Sequence, residues 1–178
     1  MKTSLKTCNT RQVLIDGFNL IYKFPDLGDR MTSGDLRGAM GGLLDMLSVY
    51  RKKTGKKIRV VFDGKKEAGL DLKQEKSRGI DVFYSLDQKA DYLIMRFIKD
   101  DPHADRVTVV TSDKEIVSYA NRYRAPVVLS ENFADLVNEE LKPEEEPEPP
   151  EKDDNVNLTD DDLSFWEKLF SGRGGKNK

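Results

Sequence analysis

The sequence predicts an α/β fold, a doubly wound and mostly parallel sheet of about five strands with helices on both faces. Three observations carry this. Apolar β-branched runs alternate with amphipathic stretches along residues 11–138, the order that builds parallel strands joined by crossover helices. Runs such as RVVF (59–62) and VTVV (107–110) are nearly continuous in apolar character, as strands covered on both faces require. Three of the runs also lead directly into an Asp. Neighbouring strand ends lie side by side in a parallel sheet, so acids far apart in sequence can share one crevice.

Residues 13–16 form the first short, buried strand, closed by Asp16. A loop with Pro25 and Gly28 follows. Ser33 or Asp35 caps a helix running to about Lys53, because Leu36, Met40, Leu43, Leu44 and Leu47 fall on one helical stripe. Gly38, Gly41 and Gly42 weaken that helix by up to ~1 kcal/mol each relative to Ala, and close approach to the sheet is the expected reason for them. Gly55 ends it. Residues 58–62 make the second strand, left through Asp63 and Gly64. Residues 65–79 are polar and basic and read as a loop with at most one helical turn. Residues 80–84 are the third strand. Asp87 then caps a helix with Ala90, Leu93, Ile94, Phe97 and Ile98 on its apolar face, and Pro102 marks its exit. Residues 107–111 are the fourth strand. Ser112 or Asp113 caps the following helix, with Ile116, Val117, Ala120 and Tyr123 inward. Residues 126–129 are a fifth short strand, where Pro is tolerated at the first position. Ser130 caps a last helix carrying Phe133, Leu136 and Val137.

Composition bounds the rest. The chain has 178 residues, 37% hydrophobic and 35% charged, which suits one domain plus extensions. No apolar run approaches the ~20 residues that span a bilayer. The start, MKTSLKTCNTRQ, has no apolar stretch of the signal-peptide kind, and Cys8 is the single cysteine, so a cytoplasmic location is expected. One Cys and one His, His103, argue against a zinc site or a Cys/His nucleophile. Charge divides along the chain. Residues 1–138 carry 24 Lys/Arg against 19 Asp/Glu, whereas residues 139–178 carry 6 against 13. The front part can therefore meet a polyanion although the whole chain is slightly acidic.

This gives five segments: a flexible N-terminus (1–10), a folded domain (11–138), an acidic Pro/Glu-rich linker expected to be disordered (139–157), a short amphipathic helix (158–171) and a basic tail (172–178). Leu163, Trp166, Leu169 and Phe170 line one face of that helix, which reads as a docking peptide for another protein, a ribosomal surface or its own domain.

Asp16, Asp63, Asp91 and Asp113 are the candidate site. Gathered carboxylates repel one another and lose water, a cost offset when they hold a hard divalent cation such as Mg²⁺ or Mn²⁺. An Asp at a strand end is also often only a helix cap or a turn former.

Four ordered motifs resemble the NYN-domain nucleases, in their bacterial YacP-like branch within the PIN-like superfamily. They are VLIDGFNLI with Asp16 and Asn19, VVFDG with Asp63, KADYLIMRFI with Asp91, and VTVVTSDKEI with Thr111, Ser112 and Asp113. The resemblance covers about residues 11–138, leaves the linker and the Trp-bearing tail outside it, and implies a PIN-like three-layer fold and a metal-dependent ribonuclease of mRNA decay or RNA processing. On it, Asp16 and Asp113 are metal ligands, and Asp91 is a ligand or a base that positions water. Asp63 is a ligand or acts from behind the ligands. Asn19 donates to a phosphate or orients Asp16. Thr111 and Ser112 hold the strand end or the metal-bound water. Lys89 stands where relatives have Glu, Thr or a small residue, and could contact a phosphate or compete with the metal for Asp91.

Lys65, Lys66, Lys73, Lys76 and Arg78 follow the second strand and are expected to rim the acidic pocket and bind RNA. Arg51, Lys52, Lys53, Lys56, Lys57 and Arg59 precede it and are expected at the opposite end of the sheet. Phe18, Tyr22, Phe24 and Tyr84 are candidates for base stacking, with core packing expected for at least two of them. The function expected is a Mg²⁺/Mn²⁺-dependent endoribonuclease acting on single-stranded or ribosome-associated mRNA. A non-catalytic RNA-binding adaptor is the alternative, and an acidic-pocket phosphatase is disfavoured by Gly17-Phe18-Asn19 after Asp16, which lacks a second Asp two residues on.

Overall fold

The computed structural model describes residues 10–64, 72–86 and 89–143. The expected roles of Cys8, Lys65, Lys66 and Asp87, and of the acidic linker beyond residue 143, the docking helix and the basic tail, lie outside these residues, whereas residues 139–141, expected in the disordered linker, are helical. Six strands form one sheet in the order β3-β4-β2-β1-β5-β6. β1 (Gln12–Asp16), β2 (Lys57–Asp63), β4 (Ile80–Ser85), β5 (Val107–Val110) and β6 (Val127–Val128) are parallel, and β3 (Leu72–Ser77) runs antiparallel on the β4 edge.

Period-two alternation on the strands feeds two cores. Val13 and Ile15 of β1, with Ile58, Val60 and Phe62 of β2, pack on one face with Leu20, Leu43, Leu47 and Phe133. That face is covered by α1 (Gly17–Ile21), α2 (Pro25–Thr32), α3 (Leu36–Thr54) and α6 (Ser130–Leu141). Leu14 and Val61 point the other way, into a core with Leu93, Ile94, Ile98, Ile116 and Ala120 from α4 (Ala90–Asp100) and α5 (Lys114–Arg122). The chain steps outward from β1 to β2 and β4, then crosses to β5 on the other side of β1. Next to β1 the strand order reverses, and open α/β sheets bind ligands at such a switch point.

Several elements differ from expectation. Residues 72–77, expected as loop, are the edge strand β3. Their polarity is that of an edge whose exposed Lys73, Glu75 and Lys76 discourage pairing with another chain. Pro25 opens a helix, as Pro does at a first helical position. That helix, α2, covers α3, so a Cβ on Gly42 would meet Leu27 of α2, not the sheet. The glycine that the sheet does demand is Gly17, where a Cβ would run into the buried Phe62 ring. Tyr123, expected inward, is 37% exposed, because α5 ends at Arg122. α6 reaches Leu141, three residues past the expected end of the domain, since Phe133, Val137 and Leu141 continue one stripe onto the core.

Candidate active site

All five parallel strands point their C-terminal ends to one edge, and α4, α5 and α6 begin there. β1 ends at Asp16 and the chain turns at once into α1, so Asp16 is both the last strand residue and the helix cap. Its Oδ1 accepts a hydrogen bond from the Asn19 backbone N–H at 3.3 Å, and its Oδ2 accepts one from Thr111 Oγ1 at 3.2 Å, beyond the end of β5. Asp16 is 8% exposed. Burial is the main force raising its carboxyl from the ordinary 3.8 to about 6. The charges of Asp91 and Asp113 push the same way, and the two hydrogen bonds hold it back.

Asp113 caps α5, its Oδ1 accepting from the backbone N–H groups of Glu115 (2.7 Å) and Ile116 (3.4 Å). Buried Thr111 joins the two acids, since its hydroxyl donates to Asp16 and accepts from the Asp113 N–H at 3.1 Å. Asp91 stands in the first turn of α4, half-buried. Burial raises its carboxyl first, then the charges of Asp113 and Asp63, with Lys89 acting in the opposite direction.

Asp63 is exposed at the end of β2. Its Oδ1 accepts from Ser85 Oγ at 3.0 Å and from the Ala90 N–H at 2.6 Å. The N-cap residue of α4 is Lys89, whose side chain makes no capping bond, so Asp63 of a neighbouring strand caps this helix. It ties β2, β4 and α4 together where Asp91 emerges.

Asn19 uses its side-chain Oδ1 to accept from the Ser112 N–H (3.1 Å) and Ser130 Oγ (2.7 Å), fastening α1 to β5 and α6. Ser130 was expected to cap α6. It lies inside the helix instead, after Leu129 at the N-cap, and its hydroxyl reaches across to Asn19. The sequence reading missed Glu131 and Lys23. Ser112 Oγ donates to Glu131 and accepts from the Ser130 N–H, and Lys23 Nζ lies 3.5 Å from Glu131. The Ser112 hydroxyl, aided by Lys23, holds the Glu131 carboxyl below its usual range. Ser-Glu at a helix start was the available signal.

The expected basic rim divides. β3 runs back down the sheet, so its register places Lys73 opposite Tyr84 near the acids and Lys76 opposite Asp81 near the far end. Arg78 lies in the β3–β4 turn at that far end, ion-paired with Asp45 of α3. Rimming the acids is therefore corrected for Lys76 and Arg78. Lys89 is exposed beside Asp91. Arg51, Lys52 and Lys53 end α3, and Lys57 pairs with Gln12 at the start of β1, so this cluster is at the opposite end as expected. His103 is exposed before β5, also far from the acids.

Phe24 is core. Phe18 and Tyr84 are half-buried and flank the Phe62 ring, at 5.2 Å and 6.0 Å between centroids. Tyr22 is 59% exposed. Beside Asp63 opens a cleft of about 870 Å³, lined by Phe18, Leu36, Arg37, Met40, Lys73 and Tyr84 among others.

Among the described residues no three His, Cys, Asp or Glu side chains are gathered closely enough to hold a metal ion as they stand. Uncompensated carboxylates repel, and Asp16 and Asp113 each commit an oxygen to a cap, so a wider spacing is the electrostatic expectation. The donor chemistry is nevertheless of the kind a hard divalent cation takes. The donors are all oxygen, the charges of Asp91 and Asp113 act on Asp16, and burial raises the proton affinity of Asp16.

The family model described as "YacP-like NYN domain" matches residues 13–170, running well past residue 138, where the sequence resemblance was expected to stop. The chain is 30% identical to the "Uncharacterized protein YacP" of Bacillus subtilis (strain 168) over 102 residues, 57% of this chain and 59% of that protein, so the match spans less than two thirds of the relative. Among solved structures it resembles the crystal structure of Rae1 (YacP) from Bacillus subtilis, with TM-score 0.57 and 25% identity over 72% of this chain and 74% of that one. A tryptophan-to-leucine variant of the same protein gives TM-score 0.58 and 22% identity over 72% and 75% of the two chains. The chain belongs to the YacP-like NYN domain family, a family of nuclease type with the PIN-like fold.

Proposed function

We propose that this YacP-like NYN protein is a Mg²⁺- or Mn²⁺-dependent endoribonuclease, hydrolysing phosphodiester bonds of single-stranded or ribosome-associated mRNA at the centre formed by Asp16, Asp91 and Asp113. The observation that carries the reading is the state of Asp16. A carboxylate 8% exposed, pushed to about 6 and burdened by two neighbouring acids is unfavourable for the free protein and favourable for cation binding. A structural cap would have no use for those neighbours.

Asp16 and Asp113 would hold the cation, which supplies screening of the anionic phosphodiester and acidification of a water. Asp91, half-buried and with a raised proton affinity, is suited to hold the same ion or to accept the proton of the attacking water. Thr111 and the Asn19 backbone fix the rotamer of Asp16. Asp63 fixes the start of α4 and so the position of Asp91. Lys89 and Lys73, exposed at this end, meet the RNA backbone. The N-termini of α4, α5 and α6 add positive dipole ends that favour phosphate.

A cytoplasmic location goes with an mRNA substrate. Among the described residues no helix is long and apolar enough to cross a membrane. Docking of residues 158–171 on a ribosomal or protein partner belongs to the same proposal.

The test is end-labelled RNA incubated with full-length protein and Mg²⁺, Mn²⁺ or EDTA, beside a simple phosphate monoester. Metal-dependent RNA cleavage without monoester hydrolysis is expected. Tight RNA binding without cleavage under any metal would favour the adaptor reading, and monoester hydrolysis alone would favour a phosphatase.

A further inference from the structure

Of the lining of the cleft beside Asp63, only Asp63 and Lys73 have a role in the function above, and the rest, apart from Asp35, is apolar, aromatic or cationic. Phe18, Leu36, Met40 and Tyr84 supply apolar and aromatic area, with Leu36 40% exposed. Two exposed cations flank them, Arg37 in the first turn of α3 and Lys73 on β3. Neither is paired with a carboxylate among the described residues. Lys73 lies 5.8 Å from the Tyr84 ring centroid, over its face. Of the two acids in the lining, Asp35 is occupied, accepting from the Gly38 N–H at 2.9 Å and lying 3.7 Å from Arg30. The other is Asp63, which the cleft shares with the acid centre.

We infer that this cleft seats unpaired nucleotides of the substrate on one side of the scissile phosphate, with bases against Phe18, Leu36, Met40 and Tyr84 and phosphates held by Arg37 and Lys73. The assignment rests on the ribonuclease reading and extends it, naming where the strand lies and which residues hold it. Aromatic and apolar side chains beside cations are the chemistry of single-strand binding, because every base has a stackable face and every linkage a charge. Stacked bases of an A-form duplex cannot enter such a cleft. Its volume of about 870 Å³ falls within the range of ligand pockets, roughly 300–1,000 Å³. Continuity with the acids through Asp63 gives the direction, since a strand leaving the centre on the β2 side passes over Gly64 and Tyr84.

The cleft is tested in full-length Asp16→Asn protein, which binds without cutting. Fluorescence anisotropy with a labelled eight-nucleotide oligouridine and with a short RNA duplex gives affinities across a salt series. Adding R37A and K73A is expected to weaken oligouridine binding at least tenfold. It should also flatten the salt slope by about 1.4, from about 0.7 per phosphate contact on a single strand. Leu36→Ser, at an exposed position, should weaken oligouridine binding with little change of salt slope. Unchanged affinity and slope in the R37A/K73A protein, with metal-dependent cleavage intact in the parent, would overturn the cleft and leave the ribonuclease reading standing. Equal affinity for the duplex would likewise overturn the cleft. Failure of the folded Asp16→Asn protein to bind any RNA would overturn both.

Discussion

At the N-terminal ends of the parallel strands, several cations have a partner. Arg59 lies 3.5 Å from Asp101 and 5.7 Å from the centroid of the Phe97 ring. Arg78 pairs with Asp45, and Arg51, Lys52 and Lys53 complete the C-terminal turn of α3, where cations complement the dipole. At the C-terminal ends, burial and the charges of Asp91 and Asp113 push the Asp16 carboxyl up to about 6, and burial with the charges of Asp113 and Asp63 raises that of Asp91. The same sheet thus carries a balanced end and an unbalanced end. Compensated charge serves stability, whereas uncompensated charge is kept at a cost to the fold, which the proposed cation would remove.

The sharpest way to break this contrast is Asp16→Asn. RNA cleavage is expected to fall by at least about 10²-fold, while circular dichroism remains native. Cleavage at the parent rate would place the chemistry elsewhere.

The pH dependence of stability sharpens it next. The folded carboxyl at about 6 exceeds its ordinary value of 3.8, so between those values the folded state binds more protons than the unfolded one. Stability contributed by Asp16 is therefore present at low pH and lost as pH rises to about 6, a change on the order of 3 kcal/mol. Urea titrations of metal-free protein between pH 4 and 7 (roughly that window) should show this fall, and Asp16→Asn should remove it. RNA cleavage, on the proposed function, is expected to run in the opposite direction, declining below about pH 6 as Asp16 takes up its proton.

At the balanced end, Arg59→Ala should cost about 1–2 kcal/mol through loss of the ion pair and the ring contact. RNA cleavage at a temperature well below unfolding should not change. The smallest effect on the fold belongs to Asp63→Ala, which removes the cap of α4 at about 1 kcal/mol. Because the start of α4 carries Asp91, cleavage should fall more than stability does. Equal and small losses would reduce Asp63 to a cap.

Much of this was readable from residues. The strand runs ending in Asp16 and Asp63, and the Thr111-Ser112-Asp113 turn, placed the acids because strand ends in a parallel sheet converge. Helices α3 and α4 followed from their apolar spacing. What escaped depended on partners distant in sequence. β3 is a polar edge strand with no hydrophobic period of its own, and only pairing with β4 makes it a strand. Its antiparallel course then carried Lys76 and Arg78 away from the acids. Ser130 and Asp63 each exchanged a local role for a bond across the crevice, to Asn19 and to the Ala90 N–H. Glu131 joined through Ser112, a partner that the Ser-Glu pair opening its own helix does not identify.

The most direct measurement is the titration of the Asp16 carboxyl itself, followed by carbon-13 NMR of full-length protein with and without Mg²⁺. Without the ion the midpoint should lie near 6, and saturating Mg²⁺ should lower it by at least about one unit, since a bound cation favours the charged form. A midpoint near 3.8, or one that Mg²⁺ does not move, would contradict the account.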